Sequence, residues 1–284
     1  MTLDRRLFAY RPDLADERLR DLVVAEQYVT GHLMDIDVPV IPLRPSPSND
    51  VGIDTEVLYG ETVRVFDEQN GFAFVQCEKD GYVGYLPSNV LRQPINATHL
   101  IIVPRTFVYR EPELKTYPIH ALSMGSRVAF VGETEVRGTR YLITKEGYGV
   151  IARHCLEAGK SISGDRVDIA LQFLHTPYLW GGRSGFGIDC SGLVQLAMSM
   201  IGETAPRDTD MQFKSLGEDI DRASLKRGDL VFWKGHVGLM EDEQTLLHAN
   251  GHTMSVAREN LDEAIERIGW LYNQPTGFRR LPSA

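Results

Sequence analysis

The spacing of apolar and polar positions changes twice along the chain, and each spacing predicts a different kind of element. Between residues 11 and 30, apolar side chains recur at roughly helical intervals, separated by acidic residues and arginines: Leu14, Leu19, Leu22, Val23 and Tyr28. This spacing predicts one amphipathic helix. From "VPVIPLRPSPSND" to about residue 157, short β-type runs alternate with turn signals such as "QNG" and "KDG". This second pattern predicts many short strands.

The strand-rich middle of the chain contains a degenerate repeat. Residues 57–86 align with residues 121–151, so that Gly60 matches Gly125 and the pair Gly81-Tyr82 matches Gly147-Tyr148. Two copies of about 60 residues predict two small β-barrels in tandem, over residues 31–95 and 96–158. The matched glycines are expected in tight turns and bulges. Both copies resemble bacterial SH3-like domains.

A third pattern follows the Gly/Ser-rich boundary "EAGKSISGD". The stretches "RVDIALQFLHTPYL" and "CSGLVQLAMSMIG" predict two helices, the second mostly buried, and "GDLVFWKGHVGLMEDEQTLLHANGHTMSVARE" predicts three or four strands. Helices followed by an antiparallel sheet make residues 159–284 an α+β domain. Residues 1–30 are left as a separate N-terminal helical segment.

Composition narrows the class of protein. The 284 residues are 43% apolar and 24% charged, with a net charge of −9 and no long Lys/Arg cluster, so neither nucleic-acid nor anionic-membrane binding is expected. No run of about 18 apolar residues predicts a membrane span, and the N-terminus lacks the apolar core of a signal peptide. Three cysteines do not suggest a disulfide framework. We therefore expect a cytoplasmic protein, and a monomer.

The stretch "GFGIDCSGLVQLAMSM" places Cys190 where a glycine-rich loop turns into an apolar helix. Unsatisfied backbone N–H groups and the positive end of the helix dipole both favour the thiolate, which is the nucleophilic form of cysteine. The alternative is a small residue buried at a helix–sheet contact, as free cysteines often are. Position alone does not separate the two interpretations.

A cysteine nucleophile needs a base, and the base needs an orienting partner. His236 and His248 lie in one predicted hairpin, "GHVGLMEDEQTLLHANG". If residues 242–244 form a three-residue loop, Gly238 lies opposite His248, and the two histidines are diagonal neighbours on one face of the sheet. A loop of two or four residues would place them on opposite faces.

A metal site is the alternative use of the same three residues. Cys190, His236 and His248 are possible zinc ligands by residue type, but neither C-x-x-C nor H-E-x-x-H spacing is present. We therefore expect no metal and no other cofactor.

Four segments in order, "HTPYLWGGRSGFGIDCSGLVQ", "PRDTDMQ", "LKRGDLVFWKGHVGLM" and "LLHANG", resemble the NlpC-type family of cell-wall cysteine peptidases. The resemblance covers residues 160–280. It implies a reduced papain-like α+β fold and cleavage of the γ-D-glutamyl–diamino acid bond of murein peptides. It makes Cys190 the nucleophile, His236 the general base and His248 the third, orienting group.

The resemblance also assigns residues around the nucleophile. Tyr178 matches a tyrosine that assists the oxyanion site together with the backbone N–H of Cys190. Asp189 and Ser191 match the flanks of the nucleophile. Asp208 and Thr209, in "PRDT", match the segment that lines the glutamyl side of the pocket, where the family more often has serine at the second position.

The full layout, two SH3-like copies before the catalytic domain, resembles a subgroup that trims free murein peptides during recycling. There the first barrel covers one end of the cleft and recognises the amine of an N-terminal L-alanine. Tyr82 and Glu56 are the candidates for that contact, since a buried acid or tyrosine suits an ammonium group. The expected partner is a murein-derived peptide, with release of L-Ala-γ-D-Glu.

Other functions stay open at this point. The chain could hydrolyse intact peptidoglycan, act as a catalytically silent wall-binding protein, or pass the acyl group of its thioester to an amine. The identity of the diamino acid, diaminopimelate or lysine, is open as well.

Overall fold

The structure is a computed structural model that describes residues 3–282, the side chain of residue 272 excepted. The chain divides into two compact units, Met1–Ala158 and Gly159–Ala284. The division falls within the Gly/Ser-rich segment "EAGKSISGD".

The N-terminal unit consists of short strands joined by turns. Its strands are β1 (Leu14–Asp16), β2 (Gln27–Val29), β3 (His32–Ile36), β4 (Val40–Leu43), β5 (Thr55–Leu58), β6 (Thr62–Gln69), β7 (Phe72–Cys77), β8 (Val83–Pro87), β9 (Leu91–Arg92), β10 (His99–Ile101), β11 (Arg105–Tyr109), β12 (Pro118–Ser123), β13 (Arg127–Val128), β14 (Gly132–Val136), β15 (Thr139–Ile143), β16 (Gly149–Ile151) and β17 (Cys155–Glu157). Short 3-10 helices cover Glu17–Leu19, Ser88–Val90 and Ala152–His154.

The first half of this unit is a five-stranded antiparallel sheet in the order β8-β7-β6-β3-β9, with β4 and β5 forming a separate ribbon. Strands with alternating apolar positions turn one face inward. The resulting core contains Ile36, Leu43, Val63, Val75 and Leu86. This is the part of the chain for which an SH3-like domain was predicted.

The second half repeats the pattern with different pairing. One sheet has the order β12-β11-β16-β15-β14 and a smaller one has the order β13-β10-β17. The repeat-matched Gly60 and Gly125 both have positive φ, 71° and 93°, a left-handed conformation that glycine adopts without steric cost. The expectation that these glycines serve tight turns is confirmed, while a second SH3-like copy over 96–158 stays a prediction.

The predicted amphipathic helix over residues 11–30 is wrong. The segment instead contains β1 and β2, which pair in parallel, and one 3-10 turn. Leu14 packs with Phe66 and Phe74 of the neighbouring sheet, whereas Leu22 is exposed. The apolar residues therefore never line one helical face, because contacts with the sheet override the local spacing.

The C-terminal unit combines four helices with an antiparallel sheet. Its elements are α1 (Arg166–Leu171), β18 (Arg183–Ser184), β19 (Gly187–Ile188), α2 (Cys190–Met200), α3 (Thr209–Ser215), β20 (Glu218–Asp219), β21 (Leu230–Trp233), β22 (His236–Met240), β23 (Thr245–Asn250), β24 (Ser255–Asn260), α4 (Leu261–Tyr272) and β25 (Gly277–Arg280), with a 3-10 turn over Arg222–Ser224. The six-stranded sheet has the order β20-β25-β21-β22-β23-β24. The α+β expectation for this unit is confirmed.

Helix α2 is the central helix of this unit. All of its residues except Ser199 are buried, and it packs against α1 and against β22 and β23 of the sheet. β22 and β23 are the strands that carry the two histidines. Within residues 3–282, no helix has the length and apolar character needed to cross a membrane.

Candidate active site

Cys190 is the first residue of α2, as predicted, and Asp189 caps the helix. The Asp189 carboxylate accepts a hydrogen bond from the backbone N–H of Gly192 at 2.7 Å, the usual arrangement at a helix N-terminus. Gly192 is required there, because a Cβ at this position would lie 2.4 Å from the carbonyl oxygen of Gly182. The glycine-rich loop thus packs directly onto the turn that presents the cysteine.

A buried arginine, Arg207, binds the turn that presents Cys190. Its guanidinium donates to both carboxylate oxygens of Asp189, at 3.0 and 2.7 Å, and to the Ser191 hydroxyl at 2.9 Å. Its side chain is 1% exposed. A bidentate, desolvated pair of this kind holds its partners in a fixed geometry. Arg207 lies within the segment "PRDTDMQ", from which no role for it was predicted.

The surroundings of the Cys190 sulfur are largely dry. The side chain is buried, and Thr209 Oγ1 lies 3.8 Å from Sγ. Burial, and after it the charge of Asp189, raise the pKa of the thiol to about 11, and hydrogen bonds from the Val237 backbone and Thr209 oppose this. The helix N-terminus was expected to favour the thiolate. Desolvation instead raises the pKa of Cys190. The resting group is therefore a thiol that must lose its proton during the reaction.

The histidine hairpin has the register that a three-residue loop predicts. Leu239 pairs with Leu247 and the backbone N–H of Glu241 donates to the carbonyl oxygen of Thr245. His236 Nε2 and His248 Nδ1 lie 2.9 Å apart, within hydrogen-bond distance. The sheet therefore brings the two histidines together on one face, and the backbone of Val237, the residue after His236, bonds to the Cys190 sulfur.

Both imidazoles are neutral at neutral pH. Burial, and after it the neighbouring His248, lower the pKa of His236 to about 3. Burial also lowers the pKa of His248, although the carboxylate of Glu259 works against this. A neutral His236 can accept a proton, as a general base must.

Glu259, on β24, lies behind His248. His248 Nε2 is 3.1 Å from Glu259 Oε2, and Arg267 of α4 pairs with the same carboxylate. Burial works to raise the pKa of Glu259, but the hydrogen bonds from His248 and Arg267 outweigh it and hold the pKa at about 2. Glu259 and Arg267 were not found from the sequence.

The remaining predicted residues of this unit surround the same turn. The backbone of Tyr178 forms a bridge with Ile188, two residues before the cysteine. Asp208 occupies the N-cap position of α3, and the carbonyl oxygen of Asp208 accepts from the backbone N–H of Gln212. The Gln212 side chain in turn donates to the carbonyl oxygen of Ser191 at 2.9 Å, which ties α3 to the nucleophile turn.

Tyr82 and Glu56, the candidates for amine recognition, lie in the N-terminal unit. Tyr82 is 2% exposed and belongs to the apolar core of the first sheet. Glu56 lies on β5 and is 6% exposed. Within residues 3–282, no cluster of three or more His, Cys, Asp or Glu side chains has the arrangement of a metal site.

A cysteine at a helix start, beside two histidines joined by a hydrogen bond, is the arrangement of a cysteine-dependent hydrolase. Comparison with known families identifies the class more closely. Residues 175–268 match the NlpC/P60 family, and residues 43–91 match a domain described as the bacterial dipeptidyl-peptidase Sh3 domain.

Two relatives that match about three quarters of this chain agree with both family matches. The gamma-D-glutamyl-L-lysine dipeptidyl-peptidase of Bacillus subtilis strain 168 is 31% identical over 236 residues, which cover 75% of this chain and 77% of that relative. Dipeptidyl-peptidase 6 of Lysinibacillus sphaericus is 30% identical over 229 residues, covering 73% and 84%. The chain therefore belongs to the NlpC/P60 family of cysteine peptidases and carries an SH3-like domain.

A solved structure shows the same fold. The crystal structure of an NlpC/P60 family protein from Bacillus cereus ATCC 10987 aligns with a TM-score of 0.73 at 22% identity, and the alignment covers 88% of this chain and all of that one.

Proposed function

We propose that this peptidase is a dipeptidyl-peptidase that cuts the γ-D-glutamyl–diamino acid bond of short murein peptides and releases L-Ala-γ-D-Glu. The observation that carries the proposal is that Cys190, at the start of α2, and the hydrogen-bonded pair His236 and His248 lie in one unit of a chain whose long matches are named dipeptidyl-peptidases.

The chemistry follows from the protonation states. His236 removes the proton of the Cys190 thiol as the sulfur attacks the γ-carbonyl carbon of D-glutamate, since the resting thiol is not ionised. The backbone N–H of Cys190 and the Tyr178 hydroxyl donate to the oxyanion of the tetrahedral intermediate. His236 returns the proton to the leaving amine, which leaves a thioester on Cys190. Water then attacks the thioester, with His236 again as base, and the dipeptide leaves.

The residues around the cysteine have supporting roles in this scheme. Asp189 and Ser191 hold the nucleophile turn through Arg207, while Thr209 and Asp208 line the glutamyl side of the pocket. The contact between Thr209 Oγ1 and the sulfur, at 3.8 Å, supports that placement.

Recognition of the substrate's free amine is assigned to Tyr82 and Glu56 of the SH3-like domain. An ammonium group desolvated on binding needs a negative or acceptor partner, and Glu56 is a buried carboxylate of the kind that provides one. The matched description of residues 43–91 as a dipeptidyl-peptidase Sh3 domain supports the assignment.

We place the reaction in cell-wall recycling in the cytoplasm, carried out by a monomer, with residues 96–158 as a second SH3-like copy. Cys77, Cys155 and Cys190 are all free thiols, the state that a reducing compartment maintains.

Mass spectrometry of reaction products tests the proposal. The purified enzyme is incubated with L-Ala-γ-D-Glu-meso-diaminopimelate, with the L-lysine tripeptide, with the N-acetylated form of each, and with purified sacculi; Cys190→Ala is the control. The expected result is dipeptide release from free-amine peptides only, absent in the control. Equal cutting of the acetylated peptides would contradict amine recognition, and solubilised sacculi would indicate a hydrolase of intact peptidoglycan.

A matched pair of variants isolates the role of Glu56. Glu56→Gln should raise KM for the free-amine peptide by about tenfold, the expected effect of losing one charged contact. Glu61→Gln is the control, because Glu61 is an equally buried carboxylate of the same unit that bonds to the Leu58 backbone and Lys79. An equal rise in KM for the two variants would contradict the proposed role of Glu56 in amine recognition.

A further inference from the structure

Four side chains form a chain of hydrogen bonds that runs from the proposed base, His236, across one face of the sheet to the edge strand β24. His236 Nε2 lies 2.9 Å from His248 Nδ1, and His248 Nε2 lies 3.1 Å from Glu259 Oε2. Arg267 donates a hydrogen bond to the same carboxylate. The strand register explains the middle contact. Leu246 pairs with Glu259 and His248 with Ala257, so Glu259 is the diagonal same-face neighbour of His248.

The donor and acceptor of each hydrogen bond in this chain follow from the Glu259 carboxylate. A carboxylate only accepts hydrogen bonds, so the proton of His248 must lie on Nε2, facing Glu259. In a neutral His248, Nδ1 is then an acceptor, and His236 must donate to it from Nε2. The lone pair of His236 is left on Nδ1, the nitrogen that does not face His248.

We propose that Glu259, held by Arg267, is a positioning residue that fixes both imidazoles as Nε2–H tautomers and so leaves His236 Nδ1 free to take the thiol proton. The inference rests on the proposed function only in naming the proton that is taken. The tautomers themselves are a property of the free enzyme.

Arg267 holds the Glu259 carboxylate in its ionised form and in one orientation. The guanidinium donates from Nε to Oε1 at 2.8 Å and from Nη2 to Oε2, and the Arg267 side chain is itself largely covered. The charge of Arg267 keeps Glu259 ionised, and its fork fixes the plane of the carboxylate toward His248. Without Glu259, either tautomer of His248 could form, and the orientation of His236 would no longer be fixed.

The test uses the full-length enzyme without substrate. Two-bond ¹⁵N–¹H correlation spectra of protein labelled in histidine report which ring nitrogen carries the proton, and the signals are assigned with His236→Gln and His248→Gln. The expected wild-type result is protonation at Nε2 for both residues at neutral pH. A spectrum with either proton on Nδ1 would overturn the proposal by itself.

Variants of Glu259 test cause and effect. In Glu259→Ala, His248 should become a mixture of tautomers, and kcat should fall about 10- to 100-fold, the usual cost of losing an orienting partner, with KM nearly unchanged because Glu259 touches no substrate. Glu259→Gln keeps an oxygen acceptor and should fall between wild type and alanine. Unchanged tautomers and kcat in Glu259→Ala would contradict the positioning role.

A matched control lies directly after β22, where Glu241 follows the strand. Glu241 pairs with Arg258, and its side chain is 18% exposed against 19% for Glu259. Glu241→Gln should therefore leave the tautomers and kcat unchanged. If the wild-type enzyme cut no murein peptide, the function would fail, yet the spectra would still decide the tautomers.

Discussion

Replacement of Arg207 by methionine should destabilise the C-terminal unit more than any surface change. The variant leaves the Asp189 carboxylate buried with its bonds from the Gly181 and Gly192 backbones and from Ser191, but without its two bonds to the guanidinium. Breaking a buried ion pair by removing one partner costs about 3–5 kcal/mol. We expect a loss of that size in the free energy of unfolding.

The tryptophans allow the unfolding of this unit to be measured selectively. Trp180, Trp233 and Trp270 all lie in residues 159–284, so tryptophan fluorescence during a urea titration reports the C-terminal unit alone. Signals from the whole chain would mix two transitions.

Arg166→Met is the matched control, because Arg166 pairs with Glu203 in the same unit, and Glu203 is more exposed than Asp189. Water can rehydrate Glu203, so a loss below about 2 kcal/mol is expected. A loss below 1 kcal/mol in Arg207→Met, or a loss no larger than in the control, would refute the reasoning. The double variant Asp189→Asn/Arg207→Met should lose less than the sum of its single variants.

Three further outcomes follow from the site. Gly192→Ala, whose Cβ would meet the Gly182 carbonyl oxygen at 2.4 Å, should lose about 1–3 kcal/mol in the same titration; wild-type stability would contradict this. Alkylation of Cys190 by iodoacetamide should still accelerate above pH 9, since the thiol pKa is about 11; a plateau below pH 8 would contradict it. Below pH 6.5, His236 binds a proton in the unfolded chain, whereas in the folded protein its pKa is about 3 and it stays neutral. Unfolding free energy should therefore decrease from pH 6.5 toward pH 3, more steeply than in His236→Gln; equal slopes would contradict this.

Local rules were sufficient where the decisive contacts are close in sequence. The hairpin could be predicted because a three-residue loop and the two-residue period of a strand determine which face His236 and His248 share. The start of α2 could be predicted because Asp189 is a capping residue directly before an apolar run.

Contacts distant in sequence account for what was missed. The segment at residues 11–30 has helical spacing, but contacts of Leu14 with the first sheet decide its structure. The pKa of Cys190 depends on burial by the whole unit, which a helix-start argument does not include. The partner of Arg207 lies 18 residues away, and no local pattern marks the pair.

Helix α4 was also missed, although the apolar spacing that predicts it was present in the sequence. Leu261, Ala264, Ile265 and Ile268 recur at helical intervals and form its buried face. Recognising that helix would have placed Arg267 near the strand that carries Glu259. The positioning pair behind the histidines could thus have been suspected before the structure.

Every step of the proposed reaction depends on Cys190 as the nucleophile, and an acyl-enzyme test examines that role. The enzyme is mixed with the L-Ala-γ-D-Glu tripeptide, quenched in acid within the first turnover, digested and analysed by mass spectrometry. We predict an L-Ala-γ-D-Glu acyl group on the peptide that contains Cys190 and no turnover in Cys190→Ala. Full turnover in Cys190→Ala, or an acyl group on another residue, would contradict it.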